Sequence, residues 1–158
     1  MQILYIESSA LLAALLEHDN SVIRVLREPS RSVTSALTFA ETNRAVVRAR
    51  VAGRLTIDEE RSAVQALHTF ERRCSVIAVS EAVLARAGHP FPIEPIRTLD
   101  AIHLATVEVM GEPPQLVRVV TRDARVRENA IALGYAVTKA PTRLAATGFL
   151  NGERAMFE

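Results

Sequence analysis

Cysteine is almost absent from this 158-residue sequence: Cys74 stands alone, which excludes a disulfide framework and favours a reducing, cytoplasmic compartment. Long apolar runs are absent too. The longest, Ala10 to Leu16, is seven residues, far short of the roughly 18 that a membrane span requires. Nor does the start read as a targeting segment, because Met1-Gln2-Ile3 lacks a basic region and Glu7 interrupts the apolar stretch. Aromatic residues are sparse, and Phe39, Phe70, Phe91, Phe149 and Phe157 are scattered, so no platform for stacking nucleobases is legible. Lysine is reduced to Lys139; every other basic residue is arginine, whose planar fork binds two phosphate or carboxylate oxygens at once. A net charge of only +1 with 49% hydrophobic residues excludes a disordered chain. The length suits a single domain over residues 1–158, with a core of about 2–140 and a C-terminal extension at 141–158.

Short apolar runs alternate with helical stretches. Gln2 to Ile6 reads as a first strand, followed by Ser8 and Ser9 as helix caps and by LLAALL. A weaker strand is expected at Ser32 to Ser35, then a helix over Leu37 to Val51 closed by Gly53. Thr56-Ile57-Asp58-Glu59 has the form of a capping box. Ser75 to Val79 reads as a strand, and Ser80 caps a helix that ends at Gly88. Pro90, Pro92 and Pro95 forbid regular structure before a helix over Thr98 to Met110. Leu116 to Thr121 and Tyr135 to Thr138 read as strands on either side of a helix over Arg122 to Leu133. Such alternation implies an α/β fold: a three-layer α/β/α sandwich with a mostly parallel sheet.

Ligands of an open parallel sheet bind beyond the carboxyl ends of its strands. The first strand delivers Glu7 there and LVRVVT delivers Asp123, one of only four aspartates in the chain. Glu41 sits in the otherwise uncharged stretch from Leu37 to Asn43, and Asp100 opens the helix behind the proline loop. Taken singly, each acid has an ordinary structural explanation; Asp100 and Asp123, for example, suit a helix N-terminus. Together they describe a crowded acidic pocket. Ionised carboxylates at close quarters require a counter-charge, and an all-oxygen donor set favours Mg²⁺, with Mn²⁺ as a substitute, over zinc. Neither Cys74 nor His18, His68, His89 and His103 show zinc-type spacing. Carboxylate-held Mg²⁺ keeps several waters, one of which can be activated to attack a phosphodiester.

YIESSALLAALL, SALTFAETNRA, IRTLDAIHLA and VVTRDARVRENAIALGYAV, in this order, resemble the four acidic motifs of PIN-domain proteins. The DAIHLA element and the length look most like the VapC toxins of bacterial toxin–antitoxin pairs. This resemblance, which covers Gln2 to about Thr138, implies a metal-dependent endoribonuclease of the parallel α/β/α type. It places Glu7, Glu41, Asp100 and Asp123 in the acidic catalytic positions, with Glu7, Asp100 and Asp123 as metal ligands and the hydroxyls of Ser9 and Thr121 behind them. It further implies an RNA substrate, a small cognate antitoxin and a homodimer, with no membrane partner. One departure is plain: the family normally has Asp where this chain has Glu7, which is longer by one C–C bond, roughly 1.5 Å.

Arg44, Arg48, Arg50 and Arg54 occupy a stretch without acids, and Arg44 and Arg48, one helical turn apart, are candidate RNA phosphate contacts. Arg122, beside Asp123, is a third; for all of these the alternative is a solvated face. His103 is expected to be a packed histidine with one satisfied nitrogen. Two other functions stay open at this stage. A catalytically impaired PIN module, with Glu7 as its defect, would bind RNA or an antitoxin without efficient cleavage. A phosphoacceptor receiver-like domain would use Lys139, but Ser80 and Glu81 stand where its aspartate belongs.

Overall fold

The structure, a computed structural model, describes residues 1–138. Lys139 and the C-terminal extension at 141–158 lie outside the described residues. The chain runs β1 (Ile3–Ile6), α1 (Ser8–Leu16), α2 (Asn20–Leu26), β2 (Arg31–Ser35), α3 (Ala36–Val51), α4 (Ile57–Arg73), β3 (Ser75–Ile77), α5 (Glu81–Ala87), α6 (Thr98–Val109), a 3-10 turn at Pro114–Leu116, β4 (Val117–Val120), α7 (Ala124–Ala132) and β5 (Ala136–Val137). The strands form one sheet in the order β3-β2-β1-β4-β5, and every described pairing is parallel. The expected α/β/α sandwich is therefore present.

β1 is the centre of the sheet, and its four residues are all buried. Successive strand side chains point to opposite faces. Accordingly Ile3 and Tyr5 pack with Val117 and Val119 against Val83 of α5, Leu104 of α6 and Val126 of α7. Leu4, Ile6 and Val120 pack on the other face against Leu11 of α1, Val22 of α2 and Leu67 and Phe70 of α4. These two clusters bind the helical layers to the sheet. Truncating a fully buried leucine such as Leu4 to alanine is worth about 2–5 kcal/mol in such a core.

Local signals account for most element boundaries. Thr56 and Glu59 form the expected reciprocal capping box, and Ser80 caps α5 through the Val83 amide. Gly53 (φ 71) and Gly134 (φ 90) take the left-handed conformation after α3 and α7, where a side chain would be strained. The cap of α1 differs from expectation. Its N-cap is Glu7, whose carboxylate accepts from the Ser9 amide, and Ser8 and Ser9 lie inside the first turn. The expected strand at Ser75 to Val79 stops at Ile77, and the expected helix from Arg122 starts at Ala124. Helix α2 has no counterpart in the sequence reading: Asp19 caps it through the Ser21 and Val22 amides, and Val22, Ile23 and Val25 bury its inner face.

Candidate active site at the carboxyl edge of the sheet

From β1 the chain moves outward through β2 to β3 and then returns to β4 on the opposite side of β1. The carboxyl ends of β1 and β4 therefore flank the point where strand order reverses, the usual ligand crevice of an open parallel sheet. Glu7 follows β1 directly, tied to the end of β4 by its amide, which donates to the Val120 carbonyl at 3.0 Å. Thr121 and Asp123 follow β4. Asp123 is the N-cap of α7; its Oδ1 accepts from the Arg125 and Val126 amides at 2.8 and 3.1 Å. Glu41 comes from α3, and Asp100 from the first turn of α6. All four acids, with Ser9, Arg44, Arg48 and Arg97, line one pocket of about 440 Å³.

Glu7 is 3% exposed, and its carboxylate is surrounded by donors. Oε1 accepts from Ser8 Oγ at 2.6 Å and the Ser9 amide at 3.0 Å. Oε2 accepts from Thr121 Oγ1 at 2.7 Å and from the Ser9 hydroxyl. Ser9 Oγ in turn accepts from the amides of Arg122 at 2.8 Å and Asp123 at 3.1 Å. The two hydroxyl residues thus join the β1 and β4 ends and fix the direction of the Glu7 carboxylate.

Two nitrogen donors built into the chain face the acids. His103, fully buried, places Nε2 at 2.6 Å from Glu41 Oε2 and 3.8 Å from Glu7 Oε1, and Nδ1 at 3.0 Å from Tyr5 Oη. Burial pushes the Glu41 carboxyl up, but the hydrogen bond and charge of His103 outweigh it and leave the group below the ordinary carboxylate value. A carboxylate only accepts, so Nε2 is the protonated nitrogen towards Glu41. Tyr5 is held well above its ordinary value by burial first and by Glu7 second; it stays a phenol. Both nitrogens of His103 are engaged, where one was expected.

The second donor is Arg97. Its Nε donates to Asp100 Oδ2 at 2.7 Å, and its Nη2 donates to Asp100 Oδ1 at 3.3 Å and to Asp123 Oδ2 at 2.6 Å. Even so, burial pushes the Asp100 carboxyl above its ordinary value, reinforced by the charges of Asp123 and Glu7 against the opposing pull of Arg97. Sequence reasoning did not single out Arg97. Its signal was an arginine three residues ahead of Asp100, at a helix start where a positive charge is disfavoured.

The candidate phosphate contacts divide. Arg44 and Arg48 are exposed and line the acidic pocket. Arg122 does not: its side chain is half-buried against α2, where Nε donates to Asp19 Oδ2 at 2.8 Å and Nη2 meets Asp19 and the Ser21 hydroxyl. The Asp19 cap that engages Arg122 belongs to the unanticipated α2.

The donor set fits a hard divalent cation. Glu7, Glu41 and His103 offer ligand atoms that all lie within 4.8 Å of one another, and Asp100 and Asp123 share their pocket. His103 Nε2 carries its proton towards Glu41, so the groups available to a cation are the carboxylates, an all-oxygen set suited to Mg²⁺ or Mn²⁺.

Residues 4–132 match the PIN domain. The chain belongs to the PIN-domain family. It is 37% identical over 139 residues to Ribonuclease VapC46 of Mycobacterium tuberculosis, covering 87% of this chain and 97% of that protein. It is 33% identical over 138 residues to Ribonuclease VapC35 of the same species, covering 85% of this chain and 94% of that one. Among solved structures, VapBC2 from Rickettsia felis, bound to a DNA fragment from its promoter, superposes with a TM-score of 0.59 at 14% identity, over 86% of this chain and 97% of that one. Mycobacterium tuberculosis VapC20, a Sarcin-Ricin loop cleaving toxin, gives 0.59 at 17% identity, over 84% and 96%. These likenesses extend the agreement in fold. No helix among the described residues is long and apolar enough to cross a membrane.

Proposed function

We propose that this PIN-domain protein is a divalent-cation-dependent endoribonuclease, the toxin of a toxin–antitoxin pair, using Mg²⁺ with Mn²⁺ as a substitute. The observation that carries it is the meeting of Glu7, Glu41, Asp100 and Asp123, from four distant segments, in one pocket rimmed by Arg44 and Arg48. Nearly full-length relatives named as ribonucleases support the same chemistry. In this function Glu7, Asp100 and Asp123 hold the cation. Bound there, it supplies an activated water and neutralises charge developing on the phosphate during in-line displacement. Glu41, ionised under the influence of His103, orients the nucleophilic water and takes up its proton. Ser9 and Thr121 keep Glu7 in place, and Arg44 and Arg48 bind phosphates on either side of the scissile bond.

The partners proposed are RNA as substrate, a cognate antitoxin that covers the acidic pocket, and a second copy of the chain in a homodimer. VapBC assemblies among the structural neighbours support the antitoxin. Residues 1–158 are proposed to act as one domain in the cytoplasm.

The test is cleavage of total RNA by antitoxin-free protein with Mg²⁺, with Mn²⁺ and with EDTA, beside Asp100→Ala. Cleavage that requires the metal and disappears in the variant is expected. Inactivity of the natural chain in both metals, relieved by Glu7→Asp, would instead make it an impaired binding module.

A further inference from the structure

Arg97 is the N-cap of α6, yet its side chain makes no capping hydrogen bond, and its charge faces the positive end of the helix dipole. Helix stability does not explain an arginine there. Its side chain is 60% exposed, but three hydrogen bonds direct it onto Asp100 and Asp123. Those contacts occupy both oxygens of Asp100 and the one oxygen of Asp123 that α7 leaves free. Asp100 and Asp123 are two of the acids proposed above to hold the divalent cation.

We infer that Arg97 is a displaceable counter-charge. It competes with the divalent cation for Asp100 and Asp123, and once displaced it becomes a substrate contact, turning its guanidinium to an RNA phosphate at the pocket mouth. The inference rests on the metal site proposed above and adds a residue to it. Arg97 bridges the two aspartates in the resting chain, its guanidinium hydrogen-bonded to both. A cation that binds both aspartates releases a planar fork suited to a phosphodiester. The released side chain, already exposed, has solvent on the side from which RNA approaches, next to Arg44 and Arg48.

The experiment titrates the full chain with Mn²⁺ in the absence of RNA, by calorimetry, for the natural protein, Arg97→Gln, Arg97→Lys and Asp100→Ala. Removing a competing, partly exposed ion pair should tighten Mn²⁺ binding about three- to tenfold in Arg97→Gln. Arg97→Lys, which keeps the charge but loses the fork, should lie between. At saturating Mn²⁺, Arg97→Gln should nonetheless cleave RNA with kcat/KM lowered about tenfold or more, with partial recovery in Arg97→Lys. Mn²⁺ binding no tighter in Arg97→Gln, while Asp100→Ala loses it, overturns the competition and leaves the metal site standing. Tighter binding with full cleavage overturns the phosphate contact. No Mn²⁺ binding by the natural chain overturns the metal site itself.

Discussion

His103 Nε2 and Glu41 Oε2 stand 2.6 Å apart across 62 residues of sequence. The pair is anchored from behind by the Tyr5 hydroxyl, 3.0 Å from Nδ1, so the centre of the sheet sets the direction of an acid at its edge. Tyr5→Phe should leave a fully buried ring nitrogen without a partner and cost about 1–3 kcal/mol, read by urea denaturation. Cleavage should persist in that variant. His103→Leu should remove the donor that holds Glu41, and cleavage should fall about 100-fold, with the folded state checked by circular dichroism.

Asp19 joins α2 to the β4 end through Arg122. Burial pushes its carboxyl up, but the hydrogen bonds from Ser21, Arg122 and the α2 amides prevail and hold it below the ordinary 3.8. A depressed folded-state pKa means stabilisation that is present above the unfolded value and lost as pH falls through the folded one. Asparagine caps a helix as well as aspartate does, so Asp19→Asn isolates the ionic part. Its deficit should be about 1–2 kcal/mol at pH 7 and should shrink below pH 4. A deficit unchanged on acidification would contradict the assignment.

Asn129 of α7 grips the proline loop at both faces of one peptide residue: Oδ1 accepts from the Ile93 amide and Nδ2 donates to the Ile93 carbonyl, each at 2.9 Å. That loop leads into Arg97, so the grip couples the Asp123 helix to the Arg97 side of the pocket. Asn129→Ala should lower stability by about 1–3 kcal/mol. Hydrogen exchange at the Ile93 amide should accelerate, an effect a distant core mutation of equal cost would not produce selectively.

Arg44 and Arg48 lie together on the exposed face of α3, at the pocket rim. Substituting both with alanine should weaken RNA binding and flatten its salt dependence. The slope of log K against log salt should fall by about 1.4, the share of two phosphate contacts on a single strand. An unchanged slope would return both arginines to a purely solvated role.

The acids at the strand ends were legible because sheet geometry makes those positions special before any contact is known: Glu7 and Asp123 follow runs of buried strand residues. Glu41 and Asp100 stood out against apolar or proline-bounded surroundings, and the Thr56 capping box is a purely local pattern. Arg97 was not legible because its partners Asp100 and Asp123 meet only after α6 and α7 pack, 26 residues apart in its contact with Asp123. The second partner of His103 was hidden for the same reason, since Glu41 arrives from α3. The direction of the Arg122 side chain was hidden because position beside an acid says nothing of it; the unseen α2 engages it through Asp19. Short α2 itself escaped because its one strong local signal, the Asp19 cap, precedes only seven helical residues.

The pocket draws on Glu7 at one end of the described chain and Asp123 near the other, with β1 at the centre of the sheet pairing to β4 only after more than a hundred intervening residues have been laid down. A nascent chain that has not yet released β4 from the ribosome therefore has only β2 of the central strand's two partners and lacks the final acid. Whatever hydrolytic hazard the molecule presents begins only once β4 and Asp123 have emerged, and fragments that stop before β4 should not cleave RNA.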